Sequence, residues 1–127
     1  MIVGRGLIAS LFIEDDREDI IFFASGVSNS LEDKPEEFLR EENLIKKIAE
    51  ENQDKTFVYF STCSVYDSSK TGSDYVLHKL KMEQLVKNSC DKYLILRVSN
   101  AVGKGGNPNL LMNYLVRSIK NNETINV

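Results

Sequence analysis

Residues 1–9 read MIVGRGLIA. Two apolar residues lead into glycines at positions 4 and 6, after which Leu7, Ile8 and Leu11 recur at helical spacing. The pattern predicts a short strand, a tight glycine turn and a helix, in that order. A strand–turn–helix unit of this kind is typical of folds in which parallel strands alternate with helices.

The same alternation continues along the chain. Short apolar runs bounded by polar residues predict further strands, and stretches with an apolar stripe at helical spacing predict the helices between them. The sequence therefore predicts an α/β fold, a Rossmann-like doubly wound parallel sheet truncated to about four or five strands, with right-handed crossovers. The later strands are predicted at 19–25, 56–61 and 93–97, and the later helices from Asp33 to about Asn52, from about Asp74, and from Asn107.

Composition limits the kinds of partner. The 127 residues are 42% hydrophobic and 28% charged, as in one ordinary globular domain, and the net charge of −3 is spread along the chain. No basic face is expected for nucleic acid or an anionic membrane. Without an apolar run of about 18 residues or a signal-peptide pattern, we expect a cytoplasmic protein.

Cys63 and Cys90 form neither a Cys-x-x-Cys pair nor a metal-ligand pattern with His78, the single histidine. No disulfide framework and no metal site is predicted, and reduced thiols are the simpler interpretation. His78 is expected to be a surface or substrate-side residue of a helix rather than a ligand or a base.

The glycines at the start match the pattern Gly4-x-Gly6-x-x-Ala9, placed between a strand and a helix. In dinucleotide-binding proteins the first glycine permits the tight turn and the second lets a pyrophosphate approach, while the small third residue allows close helix packing. Backbone amides at the helix start, near Leu7 and Ile8, would hold the phosphates. The alternative is an ordinary glycine turn, since this pattern alone is weak.

Tyr75 and Lys79 are four residues apart in a predicted helix and therefore project from one face. An ammonium group beside a phenol can lower the phenol's pKa, and it can also reach a ribose hydroxyl. A tyrosine tuned in this way can exchange a proton with a substrate hydroxyl or carbonyl. A chance pairing remains the alternative in a lysine-rich chain with five tyrosines.

Two longer segments carry a family resemblance. Residues 57–66 (FVYFSTCSVY) and 96–103 (LRVSNAVG) are similar to segments of the extended short-chain dehydrogenases/reductases, in the NAD-dependent epimerase/dehydratase family. The resemblance implies that Thr62 is the catalytic hydroxyl, that Tyr75 and Lys79 form the family's proton-transfer pair, and that Ser64 and Asn100 border the substrate.

Two further matches are less specific. Residues 24–28 resemble the strand end that passes the cofactor's ribose, which implies cofactor contacts for Ala24, Ser25 and Gly26. Asn43 resembles an asparagine that orders the proton relay; an exposed helix asparagine is the equally weighted alternative.

The sequence also departs from the family. After Ala9 the chain passes almost directly into the strand at 19–25, without a second strand ending in an acid that would hold the adenosine ribose. The resemblance implies one NAD(P)-binding Rossmann-like domain over residues 1–127 that lacks the family's carboxyl-terminal substrate lobe. NAD and NADP cannot be distinguished on this basis.

The leading hypothesis is an NAD(P)-dependent epimerase, dehydratase or reductase that acts on a nucleotide-sugar-like molecule of surface polysaccharide sugar metabolism. The alternative is a non-catalytic Rossmann-type module that binds nucleotide or mediates dimerisation. A homodimer is expected in either case, because the helix from Asp33 and the helix that carries Tyr75 resemble the family's dimer-forming helices.

Overall fold

The computed structural model describes residues 1–98, which form a four-stranded sheet and three α-helices. Three predictions lie outside the described residues: the substrate contact of Asn100, the glycine loop at 103–106 and the helix from Asn107. The strands are β1 (Ile2–Val3), β2 (Ile20–Phe23), β3 (Thr56–Thr62) and β4 (Tyr93–Val98). The helices are α1 (Leu7–Leu11), α2 (Pro35–Glu51) and α3 (Asp74–Ser89), and short 3₁₀ turns lie at Ile13–Asp15 and Cys63–Tyr66.

The four strands are all parallel and lie in chain order, β1-β2-β3-β4. Val3 is in register with Phe23, and Phe23 with Tyr59, so β3 extends three residues beyond the level at which β1 and β2 end. At a rise of about 3.3 Å per residue, Thr62 stands roughly 10 Å above that level. The carboxyl edge of the sheet is therefore stepped, with Thr62 on the higher side.

Both faces of the sheet are covered, as expected of buried parallel strands. One face packs against Phe12 just after α1, and the rings of Phe12 and Phe22 stack at 4.5 Å between centroids. The other face packs against α2 and α3. The core of the first face contains Phe12, Ile20, Phe22, Val58, Phe60 and Leu96; that of the second contains Ile21, Phe23, Ile45, Ile48, Ala49, Phe57, Tyr59, Met82 and Val86. The α/β, Rossmann-like prediction is confirmed.

The handedness of the connections departs from the prediction. The chain steps across the sheet in one direction, yet α1 lies on the opposite face from α2 and α3. The β1–β2 connection therefore has the opposite hand to the two later ones, and right-handed crossovers cannot describe all three. The physical reason is that β2 lies directly beside β1, so the chain that passes over the α1 face returns to the neighbouring strand.

None of the helices within residues 1–98 combines the length and the apolar character that a bilayer-spanning segment needs.

Gly4 joins the carboxyl ends of the first two strands. Its φ of +131° lies in the region that favours glycine, and a Cβ at this position would stand 2.5 Å from the carbonyl oxygen of Ala24. By contrast, a Cβ at Gly6 would meet nothing within 4 Å. Close strand packing therefore requires glycine at position 4 and not at position 6.

We predict that Gly4→Ala lowers the free energy of unfolding by about 1–3 kcal/mol, because it combines backbone strain with a backbone clash. Gly6→Ala is the matched control and should change it by less than about 1 kcal/mol. Urea denaturation of the two variants and the parent chain measures both values. Equal losses in the two variants would contradict the packing argument.

Candidate active site

The site begins where β3 ends and α3 starts. The Ser73 hydroxyl caps α3 by accepting a hydrogen bond from the amide of Val76 at 3.2 Å, which fixes the first turn of the helix. Tyr75 in that turn is 7% exposed and interacts with the hydroxyl of Thr62, which is 3% exposed. Thr62 Oγ1 in turn accepts a hydrogen bond from the amide of Ser64 at 3.1 Å. The structure thus brings together the predicted phenol and the predicted hydroxyl.

Lys79 lies one helical turn beyond Tyr75 on the same buried face of α3. Its ammonium group is within 5.8 Å of the centroid of the Tyr75 ring, and the residue is only 2% exposed. Lys79 Nζ donates hydrogen bonds to Glu41 Oε1 at 3.1 Å and to the Tyr59 hydroxyl at 3.3 Å. The ammonium is therefore already paired inside the protein.

Glu41 of α2 is the acid in this arrangement, and it is fully buried. Besides the bond from Lys79, its carboxylate accepts hydrogen bonds from the Tyr59 hydroxyl at 2.6 Å and from the Val27 amide at 2.9 Å. Its Oε2 also lies 2.8 Å from His78 Nε2. Burial raises the pKa of Glu41, but the hydrogen bond with His78, the charge of Lys79 and the remaining donors outweigh it and bring the pKa down to about 2. The carboxylate is ionised at neutral pH.

The pKa of Tyr75 moves against the prediction. Burial raises it, the hydrogen bond with Thr62 lowers it, and the Glu41 charge raises it again, so that the net shift is upward. The expectation of a lowered pKa is wrong for the structure described, because burial disfavours the charged phenolate most strongly and the charge of Glu41, beside the ammonium group, adds to that effect. Tyr75 is therefore a protonated phenol at neutral pH.

His78 is not the surface residue that the sequence suggested. It is 7% exposed, and its ring stacks on Phe38 with 4.4 Å between the ring centroids. The surface alternative of that prediction is wrong because α3 buries two adjacent residues, His78 and Lys79, against the same carboxylate. Glu41 thus supplies the polar partner that a buried imidazole requires.

A second polar cluster fastens the ends of β3 and β4 to α3. Arg97 donates two hydrogen bonds to the carboxylate of Glu83, at 2.8 and 3.1 Å, and the Ser61 hydroxyl donates to the same carboxylate at 2.6 Å. The guanidinium also donates to the Tyr66 hydroxyl at 2.8 Å. These contacts fix Ser61, and with it the adjacent Thr62, at the carboxyl edge.

The predicted cofactor residues lie at this same edge, on the lower side of the step. The glycine turn, with Gly4 against Ala24, is partly exposed, and the space beside Gly6 is open. Leu7 and Ile8 begin α1 with Gly6 as the N-cap. An open glycine turn at the start of a helix fits the pyrophosphate of a dinucleotide.

The fit to the rest of a dinucleotide is incomplete. Within residues 1–98, β1 is an edge strand of two residues, so no strand lies on the side where an acid would hold the adenosine ribose. A Cβ at Gly26 would stand 2.7 Å from Lys79 Nζ, so the chain at Gly26 passes directly over the ammonium group. The glycine turn is therefore compatible with the phosphates of a dinucleotide, whereas Lys79 is not free to contact a ribose.

The remaining predicted residues are distributed unevenly. Ser64 is partly buried beside Thr62, whereas Asn43 is exposed on α2 and lies outside the Glu41 cluster. The proton-relay role predicted for Asn43 has no support in this geometry. Glu41 was missed, although it had a signal: it occurs at helical spacing from Phe38, Ile45 and Ile48, on the apolar stripe of α2.

The fold and the site define a Rossmann-like α/β domain with a tyrosine–lysine pair at the carboxyl edge of its sheet. A family model described as the NAD dependent epimerase/dehydratase family matches residues 8–127, and the chain belongs to that family. The match begins after Gly4 and Gly6, so it adds no support to the glycine pattern. Comparisons with curated proteins and with solved structures give no significant match.

We predict an acid-dependent loss of stability that Glu41 controls. Its pKa is about 2 in the folded chain against a usual value of 4.5, so its contribution is complete above about pH 4.5 and is lost as the pH falls towards 2. The shift corresponds to roughly 3 kcal/mol. Urea denaturation at pH values from 7 to 2 measures this loss.

Glu41→Gln should remove this part of the pH dependence and lower stability at pH 7 by about 3–5 kcal/mol, because it leaves Lys79 without its opposite charge. Glu42→Gln, the neighbouring variant, removes ion pairs to the exposed Lys46 and Lys81 and should change stability by less than about 1 kcal/mol. The same pH dependence in both variants and the parent would contradict the assignment.

Proposed function

We propose that this chain is a cytoplasmic NAD(P)-dependent enzyme of the epimerase/dehydratase type. The proposed substrate is a nucleotide-sugar-like molecule of surface polysaccharide sugar metabolism. Membership of the family supports an NAD-dependent, Rossmann-type function in general terms. The observation that carries the finer proposal is the joint burial of Thr62, Tyr75 and Lys79 at the carboxyl edge, where ligands of parallel α/β sheets bind.

In this proposal Tyr75 is the general acid and base, and Thr62 orients the substrate oxygen. The Ser64 amide donates a hydrogen bond to Thr62 Oγ1, which holds this hydroxyl in position beside Tyr75. Because the pKa of Tyr75 is raised, its resting state is the proton donor. Tyr75 can therefore protonate a substrate carbonyl oxygen as that group is reduced to an alcohol.

The cofactor assignment rests on the glycine turn. The backbone around Gly4, Gly6, Leu7 and Ile8 would hold the pyrophosphate, and residues 24–26 would form the neighbouring wall. A bound nicotinamide nucleotide supplies hydride donor and acceptor chemistry. Ser64 and Asn100 are proposed to border the substrate. The proposed role of Lys79 is to place a positive charge beside Tyr75. Direct contact with a ribose is not proposed, because Glu41 and Gly26 already enclose the ammonium group.

We predict that Tyr75→Phe lowers turnover about 10²-fold or more, because it removes the acid/base hydroxyl while keeping the buried ring. Turnover would be measured with a panel of uridine, thymidine and guanosine diphosphate sugars, and binding of NAD⁺, NADH and NADPH by calorimetry. Nucleotide affinity should stay within about threefold of the parent value. Tyr93→Phe, at a half-exposed tyrosine outside the site, is the matched control. Unchanged turnover in Tyr75→Phe would contradict the mechanism.

A second candidate is a non-catalytic Rossmann-type module. The observation that favours it is the combination of a two-residue edge strand with an enclosed lysine, since both weaken the case for a complete dinucleotide site. The calorimetric titration separates the two candidates. Binding of a nicotinamide nucleotide favours the enzyme, and absence of both binding and turnover favours the module.

In either case we propose a homodimer formed through α2 and α3. Leu39 on α2 is 54% exposed, and Leu77 and Leu80 on α3 are 53% and 39% exposed, although the two helices pack side by side. Apolar side chains exposed together on a helix pair are typical of a surface that another protein covers.

We predict that the double substitution Leu77→Glu and Leu80→Glu converts the dimer into a monomer, because it places two charges in an interface that must exclude water. Sedimentation velocity over a range of concentrations measures the result. Leu31→Glu, at an 87% exposed leucine in the β2–α2 connection, is the control and should leave the dimer intact. A monomeric parent chain would overturn the proposed dimer.

A further inference from the structure

The turn between β2 and α2 lies directly on the Glu41–Lys79 ion pair. A Cβ at Gly26 would stand 2.6 Å from Glu41 Oε1 and 2.7 Å from Lys79 Nζ, distances that real Cβ atoms essentially never show. The main chain at Gly26 therefore packs against both charged groups without an intervening side chain. Any movement of the ammonium or the carboxylate must be accommodated by this turn.

The same turn is held from α2 by two adjacent residues. Arg40 Nη1 donates a hydrogen bond to the carbonyl oxygen of Ser25 at 3.1 Å, and Glu41 Oε2 accepts one from the Val27 amide at 2.9 Å. One side of the turn is thus tied to Arg40, while Glu41 ties the other side to Lys79 on α3. Residues 25 and 26 of this turn belong to the segment 24–26 that is proposed as a wall of the cofactor crevice.

The charge on Lys79 depends on what surrounds it. Burial lowers the pKa of Lys79, the charge and hydrogen bond of Glu41 raise it, and burial outweighs them, so that the net shift is downward. The other groups that act on the ammonium make a smaller or opposing contribution. They are Tyr59 of β3 and Tyr75 of α3, whose rings lie near the ammonium, together with Arg40 of α2, which lowers its pKa, and Glu83 of α3, which raises it.

We infer that Glu41 is a positioning residue: it is the counter-ion that keeps Lys79 charged and fixed beneath Gly26. Through the Val27 amide it also joins that charge to the turn that continues the proposed cofactor wall at residues 24–26. The reference to a cofactor wall rests on the proposed function, whereas the pairing itself does not. A carboxylate suits this position because it only accepts hydrogen bonds. The Val27 amide and Lys79 donate to different oxygens of Glu41, so a glutamine would face one of these two donors with its own NH₂ group.

The first test is an NMR titration of ¹³C-labelled lysine side chains in the full chain. In Glu41→Gln, Lys79 should lose its proton at lower pH than in the parent, with about tenfold or greater loss of proton affinity, as expected when an adjacent opposite charge is removed. Glu42→Gln is the matched control and should leave the Lys79 titration where it is in the parent. An unchanged Lys79 titration in folded Glu41→Gln overturns the inference.

The second readout is the affinity for NADH, measured by calorimetry from pH 7 to pH 9. In Glu41→Gln the affinity should fall about tenfold or more as the pH rises and Lys79 loses its charge, and the decline should be absent in Glu42→Gln. If the parent binds no nucleotide while the lysine titration shifts, the proposed cofactor site fails and the counter-ion role stands. If nucleotide binds and the Lys79 titration is unchanged in Glu41→Gln, the counter-ion role fails and the proposed cofactor site stands.

A third measurement does not require Glu41→Gln to fold. Brief acetylation of the native parent chain with an N-hydroxysuccinimide ester, followed by mass spectrometry, should modify the exposed Lys46 at least tenfold faster than Lys79. Gly26→Ala should raise the rate at Lys79, because the added methyl group pushes against the ion pair, while Gly72→Ala, where a Cβ meets nothing within 4 Å, should not. Equal rates at Lys46 and Lys79 in the parent overturn the inference.

Discussion

The site is organised around a buried carboxylate that is neutralised by a buried ammonium. Glu41 and Lys79 come from different helices, and the contacts of Glu41 with Tyr59 and Val27 extend the group to β3 and to the turn after β2. Two buried charges are tolerated only when each has a partner and the remaining hydrogen bonds are made. This requirement fixes α2 and α3 relative to the sheet, and it places Tyr75 against Thr62.

Much of the fold was predictable because its signals are local. The apolar run at 19–25 and the β-branched and aromatic residues from Thr56 onward mark strands by composition alone. The pairing of Tyr75 and Lys79 on one face follows from helical periodicity. The hand of the first connection was not predictable from local pattern, because it depends on which strands lie side by side and on which face α1 occupies.

The chemistry of the site was less predictable, since it depends on contacts between residues far apart in the chain. The sequence places Lys79 near Tyr75, but it does not reveal that an acid 38 positions earlier is hydrogen-bonded to the ammonium. The direction of the Tyr75 pKa shift follows from that contact. An acid on the apolar stripe of α2 is the available clue in the sequence, whereas the family resemblance points to Asn43, which is exposed.

The enclosed position of Gly26 links three residues that are remote in sequence. Since its missing side chain makes room for the carboxylate of Glu41 and the ammonium of Lys79, these positions cannot vary independently. Related chains that carry a larger residue at position 26 are expected to have shorter or displaced side chains at the other two. Covariation among the three positions in relatives would therefore record how long this arrangement of charges has been maintained.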